Sequence, residues 1–244
     1  MFSSSIDNLK SEISNPLFEW RDGTPYFRGL RVEQSVISLH GHTFRISALH
    51  DAADLLDDPE YAQKFVDEDR APYGMELWPG AMMLSDYLCG DEAGAGRAAL
   101  ELGCGVALVA LTAKTRGWRI TASDYDDMAL TFARHNAAES GVAIDCYEHL
   151  DWNHPPQGRA YERIFGADVL YQKIDHEPVL AATAVLLSPT GVGLFADPHR
   201  QVANRIPELA GEHGFQVEVL PTKGLDPSTG KMVDGRIFKL RRRT

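Results

Sequence analysis

The sequence predicts an α/β fold with a doubly wound, mostly parallel seven-stranded sheet, an antiparallel edge strand and a β-rich N-terminal extension. From about residue 80, short apolar segments alternate with stretches of helical periodicity, as parallel strands joined by helices do. The chain then closes with two strand-like segments joined by a loop, which favours an antiparallel edge. In residues 1–70, by contrast, short strand-like segments follow one another directly. We therefore expect an extension over residues 1–70 and a main domain over residues 71–244.

Composition limits the classes of protein to consider. The chain has 244 residues, 44% of them hydrophobic, which suffices for one large α/β domain with an appendage. Its formal net charge of −11 repels phosphate backbones, so no nucleic-acid partner is predicted. Three widely spaced cysteines without a Cys-x-x-Cys pair predict neither a zinc site nor a disulfide framework, and they fit a reducing cytoplasm. We find no signal-peptide pattern and no apolar run near the ~20 residues of a membrane span, so no membrane partner is predicted.

Short apolar segments separated by turn residues predict four strands in the extension, followed by one helix. The predicted strands are Phe18–Trp20, Tyr26–Arg28, Val32–Leu39 and Phe44–Leu49. The predicted helix is Pro59–Glu68, with Asp58 as its possible N-cap. The pair His40 and His42 falls in a predicted hairpin turn without a third ligand, so no metal site is predicted there.

The main domain alternates between strands and helices, and two of its helices are predicted to stop at Gly117 and Gly141. The predicted strands are Ala98–Glu101, Arg119–Ser123, Ile144–Glu148, Arg163–Ala167, Gly193–Ala196, Phe215–Leu220 and Gly235–Leu240. The predicted helices are Ala81–Leu88, Val106–Arg116, Asp126–Ser140, Glu177–Leu187 and Val202–Gly211.

A glycine turn joins the first of these strands to its helix. Glu101 ends the strand, and Gly103 and Gly105 let a ligand approach the backbone closely. A carboxylate here repels a pyrophosphate but suits S-adenosylmethionine, which has a ribose, an ammonium group and a sulfonium, and no phosphate. The dinucleotide fingerprint would need glycine at the position of Leu108. The alternative is an ordinary glycine-rich turn between a strand and a helix.

Asp124 ends the next strand, one strand–helix–strand unit after Glu101. An acid at that point can bind both hydroxyls of a ribose. The alternative is that Asp124 caps the helix that follows. Asp126 and Asp127 suit capping better because they directly precede that helix, so we favour Asp124 as the ribose ligand.

Three further segments carry polar or aromatic side chains at the predicted strand ends. Asp151 and Trp152 follow a strand and can hydrogen-bond and wall an adenine, although Trp152 can equally be plain core. Asp168 ends another strand at the edge where open α/β sheets bind ligands, and Tyr171 follows in the loop. An isolated Asp-x-x-Tyr match is common by chance. Trp78 precedes the first helix and can cover a ligand or anchor the extension.

Taken in order, the Trp-Pro segment, Glu-x-Gly-x-Gly, the strand-end Asp124, Asp-Trp and Asp-x-x-Tyr resemble the seven-strand S-adenosylmethionine-dependent methyltransferases. More narrowly, they resemble the Asp-x-x-Tyr branch that contains many protein-lysine methyltransferases. The resemblance covers roughly residues 70–240 and extends to the segment 196–200, Ala-Asp-Pro-His-Arg. The family's turn often ends in a further glycine, and this chain has Ala107 there.

The resemblance implies a role for each matched residue. The implied cofactor-binding residues are Trp78, Glu101, Gly103, Gly105, Asp124, Asp151 and Trp152. Glu101 and the glycines would hold the amino-acid end and the ribose, Asp151 with Trp152 the adenine, and Trp78 the methionine moiety. Asp168 and Tyr171 are the implied catalytic residues, which orient the methyl-accepting amine.

The function implied by the resemblance is S-adenosyl-L-methionine-dependent N-methylation, with a lysine side chain of a protein as the expected acceptor. A small amine is the alternative acceptor, because the same cofactor site serves both classes and the fold does not decide between them. A catalytically silent binding module of the same fold is a second alternative. The joint presence of Glu101, Asp124, Asp168 and Tyr171 argues against it.

Overall fold

Two β-sheets organise the molecule in the computed structural model, which describes residues 18–59, 62, 63, 66 and 73–243. The strands are β1 (Phe18–Arg21), β2 (Thr24–Phe27), β3 (Leu30–Leu39), β4 (His42–Leu49), β5 (Ala98–Leu102), β6 (Arg119–Asp124), β7 (Cys146–His149), β8 (Tyr161–Ala167), β9 (Leu187–Asp197), β10 (Phe215–Asp226) and β11 (Lys231–Arg242). The α-helices of the main domain are α1 (Pro79–Gly90), α2 (Leu108–Thr115), α3 (Asp127–Ser140), α4 (Lys173–Leu186) and α5 (Ile206–Glu212). Short 3-10 helices cover Ala52–Asp57, Tyr73–Met75 and Gln201–Arg205.

The larger sheet has seven strands in the order β10-β11-β9-β8-β5-β6-β7. Strands β7, β6, β5, β8 and β9 pair in parallel, whereas β11 runs antiparallel to both β9 and β10. This arrangement confirms the predicted doubly wound sheet with its antiparallel edge. Because the parallel strands share one direction, the acids predicted at their carboxyl ends lie along one edge of the sheet.

Strands β10 and β11 are longer than the sequence predicts. Each has 12 residues, and their pairing runs from Phe215 opposite Arg242 to Asp226 opposite Lys231. Gly224, which the sequence pattern places in a loop, lies inside this ribbon, where the ribbon passes close to Met83 of α1. A Cβ added at Gly224 would come within 2.6 Å of the Met83 side chain.

Helix α4 begins earlier than predicted, at Lys173 instead of Glu177. Pro178, a residue type favoured in the first turn of a helix, directly follows the predicted start. In the structure Pro178 lies inside the helix. Its missing N–H removes one hydrogen bond from the second turn of the helix.

The four-stranded sheet, in the order β1-β2-β3-β4, confirms the predicted β-rich extension. One face packs on α3, where the ring of Phe18 stacks on that of His135 at 4.0 Å between centroids. Asn136 joins the two parts most directly. Its amide group accepts from the backbone N–H of Ser47 at 2.8 Å and donates to the carbonyls of Ser47 at 3.0 Å and Val106 at 2.9 Å. The extension is therefore bonded, through one buried side chain, to the residue after the glycine turn.

Most of the predicted helix Pro59–Glu68, and the proposed boundary between residues 70 and 71, lie outside the described residues and stay predictions. Within the described part of the chain, no helix combines the length and the apolar character needed to cross a membrane.

Candidate active site

A cavity of about 310 Å³ opens at the carboxyl-end edge of the large sheet. Its volume lies at the lower end of the range typical of small-molecule sites, about 300–1,000 Å³. Eight of the nine predicted site residues line it: Trp78, Glu101, Gly103, Gly105, Asp124, Trp152, Asp168 and Tyr171. The structure thus brings together side chains that come from loops far apart in the sequence.

Asp151 is the predicted site residue that does not line this cavity. Its carboxylate folds back on the following turn, where it accepts from the backbone N–H of Asn153 at 3.0 Å and contacts His154 at 3.2 Å. The neighbouring Trp152 does line the cavity, is 7% exposed, and donates its indole N–H to Asp175. An adenine role for Asp151 therefore stays a prediction that the geometry does not favour.

The glycine turn is held in a conformation that larger residues would disturb. Gly103 and Gly105 have φ angles of +63° and +50°. A Cβ at Gly105 would lie 2.7 Å from the carbonyl oxygen of Gly74, and one at Gly103 would lie 2.7 Å from Val169. Ala107 also has a positive φ, +67°, at the position where the related family often has glycine. The chain accommodates alanine there at a cost of about 1–2 kcal/mol.

Glu101 carries an unsatisfied acceptor into the cavity. The residue is 1% exposed, and among the described residues its Oε2 has no hydrogen-bond partner. Burial raises the pKa of this carboxyl well above its usual range, against a hydrogen bond from the backbone of Ala110. A buried acceptor of this kind fits a ligand that brings an ammonium group, because such a donor satisfies the oxygen and favours its ionised form.

Asp124 is bound by backbone donors beside the glycine turn. It accepts from the N–H of Gly105 at 2.9 Å and from that of Asp126 at 3.0 Å. Burial raises its pKa to about 6, although both of these hydrogen bonds act in the opposite direction. The N-cap of α3 is Asp126, whose side chain accepts from Met128. The alternative that Asp124 caps this helix is therefore wrong, and its carboxylate is left to line the cavity.

Aromatic side chains wall the end of the cavity that lies before α1. The indole N–H of Trp78 donates to the carbonyl of Tyr73 at 2.9 Å. The ring of Tyr73 meets those of Trp78 and Tyr171 edge to face, at 5.6 and 6.0 Å between centroids. Tyr73 was not among the predicted site residues, although it stands in the same short segment as Trp78.

Asp168 is the centre of a charged cluster at this end. It is 7% exposed, has a φ of +56°, and accepts from the backbone N–H of Gly80 at 2.5 Å. Its other oxygen forms an ion pair with Arg200, which also lines the cavity. Burial raises the pKa of Asp168, and the Arg200 guanidinium acts against that rise. The segment that contains Arg200 resembles the family, but its sequence indicates no role for this residue, because the partner of Arg200 lies far away in the chain.

The cavity therefore meets the requirements of the cofactor expected from the sequence. It offers a buried unsatisfied carboxylate oxygen on Glu101, a second carboxylate on Asp124, and a turn whose glycines leave room for a ligand. A phosphate-bearing dinucleotide would bring negative charge toward these two acids, which is unfavourable.

Comparison with known proteins agrees with this geometry. A family model described as "Lysine methyltransferase" matches residues 60–205. The chain belongs to this lysine methyltransferase family. Membership confirms the resemblance noted from the sequence and, together with the cavity, S-adenosyl-L-methionine as the cofactor.

Two curated relatives cover part of the chain. It is 28% identical over 173 residues to the protein N-terminal and lysine N-methyltransferase EFM7 of Eremothecium gossypii, covering 61% of this chain and 65% of that protein. It is 30% identical over 126 residues to the histone-arginine methyltransferase METTL23 of Mus musculus, covering 47% of this chain and 48% of that protein. The chain thus spans about half to two thirds of the length of these relatives.

Solved structures share the fold at low sequence identity. A TehB-like S-adenosylmethionine-dependent methyltransferase from Corynebacterium glutamicum superposes with a TM-score of 0.52 and 15% identity, over 79% of this chain and 100% of that one. This structural likeness confirms that the chain has the methyltransferase fold.

Proposed function

We propose that this chain is an S-adenosyl-L-methionine-dependent N-methyltransferase that acts on a lysine side chain of a protein. One observation carries the proposal: a single cavity is lined both by acidic residues suited to the cofactor, Glu101 and Asp124, and by Asp168 and Tyr171. Membership of the lysine methyltransferase family supports both the activity and the acceptor.

We assign a role to each of the predicted residues that line the cavity. Glu101 would accept hydrogen bonds from the amino group of the cofactor, and Asp124 would accept them from the ribose hydroxyls. Trp152 would cover the adenine, and Trp78 the methionine portion. When bound, S-adenosyl-L-methionine supplies a methyl group activated by a sulfonium, so a nucleophile on the protein is not required. Positioning is then the main contribution of the enzyme.

The acceptor must reach the site as a neutral amine. A free lysine has a pKa of about 10.4, so its deprotonation near pH 7 costs about 4–5 kcal/mol. Trp78 and Tyr171 would lower this cost by removing water from the amine, since desolvation disfavours the charged form. Asp168 has the opposite effect, because a carboxylate attracts the cationic amine and orients it on arrival. We further propose a protein partner, in line with the family. We also propose a cytoplasmic location, which the three free cysteines support.

Calorimetry with S-adenosyl-L-methionine and S-adenosylhomocysteine tests the cofactor half of the proposal. We expect both to bind, and we expect Glu101→Gln to weaken their binding at least about tenfold, because a charge-assisted hydrogen bond is lost. Glu139→Gln is the matched control, since Glu139 is exposed on α3. The absence of binding heat with the unmodified protein would contradict the proposal and favour a silent module.

Incubation with tritiated cofactor and a cell lysate tests the acceptor half. We expect label in the protein fraction, and methyl-lysine after acid hydrolysis of that fraction. Label confined to small molecules would instead support the metabolite alternative, and methyl-arginine would show that the acceptor class is wrong.

A further inference from the structure

The part of the cavity lined by Asp168 and Tyr171, which we call the acceptor end, already contains a cation. The guanidinium of Arg200 pairs with Asp168, the carboxylate that the proposed function assigns to the incoming amine. The Arg200 side chain is 26% exposed, whereas that of Asp168 is only 6% exposed. A buried carboxylate needs such a partner, because a charge left unpaired in the interior is strongly destabilising. A substrate ammonium therefore cannot reach Asp168 without competing with Arg200.

A second carboxylate lies within reach of the same guanidinium. Asp197 ends β9 and is 1% exposed, and among the described residues its Oδ1 accepts no hydrogen bond. The Nη1 atom of Arg200 is 3.7 Å from this oxygen, an ion-pair distance too long for a hydrogen bond. A small rotation of the Arg200 side chain would close that gap and satisfy a buried acceptor.

The rest of the cluster holds Asp197 in place for this purpose. Its other oxygen, Oδ2, accepts from Nε of Arg236 at 3.0 Å and from the backbone N–H of Arg200 at 3.1 Å. Arg236 is in turn bonded to Asn204 at 2.7 Å and to the carbonyl of Arg200 at 2.8 Å. The backbone of Arg200 is thus anchored while its guanidinium stands between two carboxylates, with the Trp78 ring 6.0 Å away.

We infer that Arg200 is a specificity-determining residue with two positions, which selects cationic acceptors. With no acceptor present, its guanidinium neutralises Asp168; when a substrate ammonium takes Asp168, the guanidinium moves to the unsatisfied Oδ1 of Asp197. Every buried charge keeps a partner in both positions. A neutral hydroxyl or thiol cannot release Arg200 in this way, because Asp168 would lose its counter-charge. The inference rests on the proposed function and refines the acceptor class to an amine that arrives protonated.

A substrate is not needed to test this. Sinefungin is a cofactor analogue with a protonated amine in place of the transferable methyl group, and S-adenosylhomocysteine lacks both. The ratio of their affinities, measured by calorimetry, reports how well the acceptor end receives a cation. We expect Arg200→Met to raise this ratio in favour of sinefungin by about tenfold, because Asp168 no longer has a competing cation. Arg200→Lys keeps a cation and is expected to give a smaller rise.

Arg205→Met is the matched control, because Arg205 is 56% exposed in its side chain and pairs with Glu208 away from the cavity. It should leave the ratio unchanged. An unchanged or lower ratio in Arg200→Met, with S-adenosylhomocysteine still bound, would overturn the inference. If the unmodified protein failed to bind S-adenosylhomocysteine, the proposed function itself would fail, and the two failures are therefore distinguishable.

Crystal structures of the unmodified protein provide a test that does not depend on a variant's folding. We expect the Arg200 guanidinium on Asp168 in the S-adenosylhomocysteine complex and on Oδ1 of Asp197 in the sinefungin complex. A guanidinium that stays on Asp168 in both complexes would overturn the inference.

Discussion

Gly80 donates its backbone N–H to Oδ2 of Asp168 over 2.5 Å, which joins the first turn of α1 to the residue that follows β8. Gly80 lies in the first turn of α1, where backbone N–H groups have no acceptor within the helix. The carboxylate at the acceptor end is therefore fixed by a helix that begins one residue after Trp78. The start of α1 therefore positions both Trp78, which belongs to the aromatic wall of the cavity, and the Asp168 carboxylate.

This contact makes Gly80 sensitive to a side chain of any size. A Cβ at Gly80 would collide with the Asp168 carboxylate, so Gly80→Ala should lower the free energy of unfolding by about 2 kcal/mol. Gly90→Ala is the control in the same helix, because no other part of the described chain lies within 4 Å of its added Cβ. It should change stability by less than about 1 kcal/mol, in the stabilising direction. Equal losses in urea denaturation of the two variants would contradict this account.

Alanine in place of a glycine of this turn should affect ligand affinity more than the free energy of unfolding. At Gly105 the added Cβ would meet the carbonyl of Gly74, which also lines the cavity, so Gly105→Ala should weaken S-adenosylhomocysteine binding at least about tenfold. Gly141 has a similar φ of +65°, but among the residues that the structure describes a Cβ added there would meet nothing within 4 Å. Gly141→Ala should therefore cost about 1 kcal/mol of stability and leave the dissociation constant unchanged. Calorimetry that found equal effects on binding would refute the steric explanation.

Asp124 should make the cofactor-free protein less stable as pH rises from about 4 to about 6. Its pKa is raised to about 6 in the folded state from an ordinary value of 3.8, so in this interval the unfolded chain loses a proton that the folded protein keeps. Stability falls wherever the unfolded state binds fewer protons, and a shift of this size corresponds to about 3 kcal/mol.

The Asp124→Asn variant isolates this contribution. The free energy of unfolding of the unmodified protein minus that of the variant should fall by about 2 kcal/mol between about pH 4 and about pH 7, the rest of the change lying below pH 4. A constant difference for Asp124→Asn would show that its carboxyl titrates alike in both states.

Tyr171 should matter more for turnover than for cofactor binding. Its ring packs edge to face on Tyr73 at the acceptor end of the cavity, so Tyr171→Ala should slow label transfer from tritiated cofactor to lysate proteins at least about tenfold, through loss of positioning. Tyr26→Ala, in the extension, is the control and should keep the original rate. Turnover by Tyr171→Ala at the rate of the unmodified protein would count against a catalytic role.

The sequence alone determined the fold class and the edge of the sheet that holds the site. Alternating strands and helices imply parallel strands, and the carboxyl ends of parallel strands meet at one edge; Glu101, Asp124 and Asp168 each follow from that rule. The sequence also indicated the glycine turn, because Gly103 and Gly105 have a backbone conformation that few other residues adopt.

Only the tertiary structure decided which of these side chains face the cavity and what they bind. Asp151 follows a strand just as Asp168 does, yet it bonds within its own turn, because a rotamer and not a spacing decides where a carboxylate points. The partners of Asp168 are Gly80 and Arg200, which lie far from it in the chain. They are brought beside it by the packing of α1 on the sheet and by the pairing of β9 with β8. Local patterns report backbone conformation and periodicity; contacts between distant segments depend on how the whole core packs.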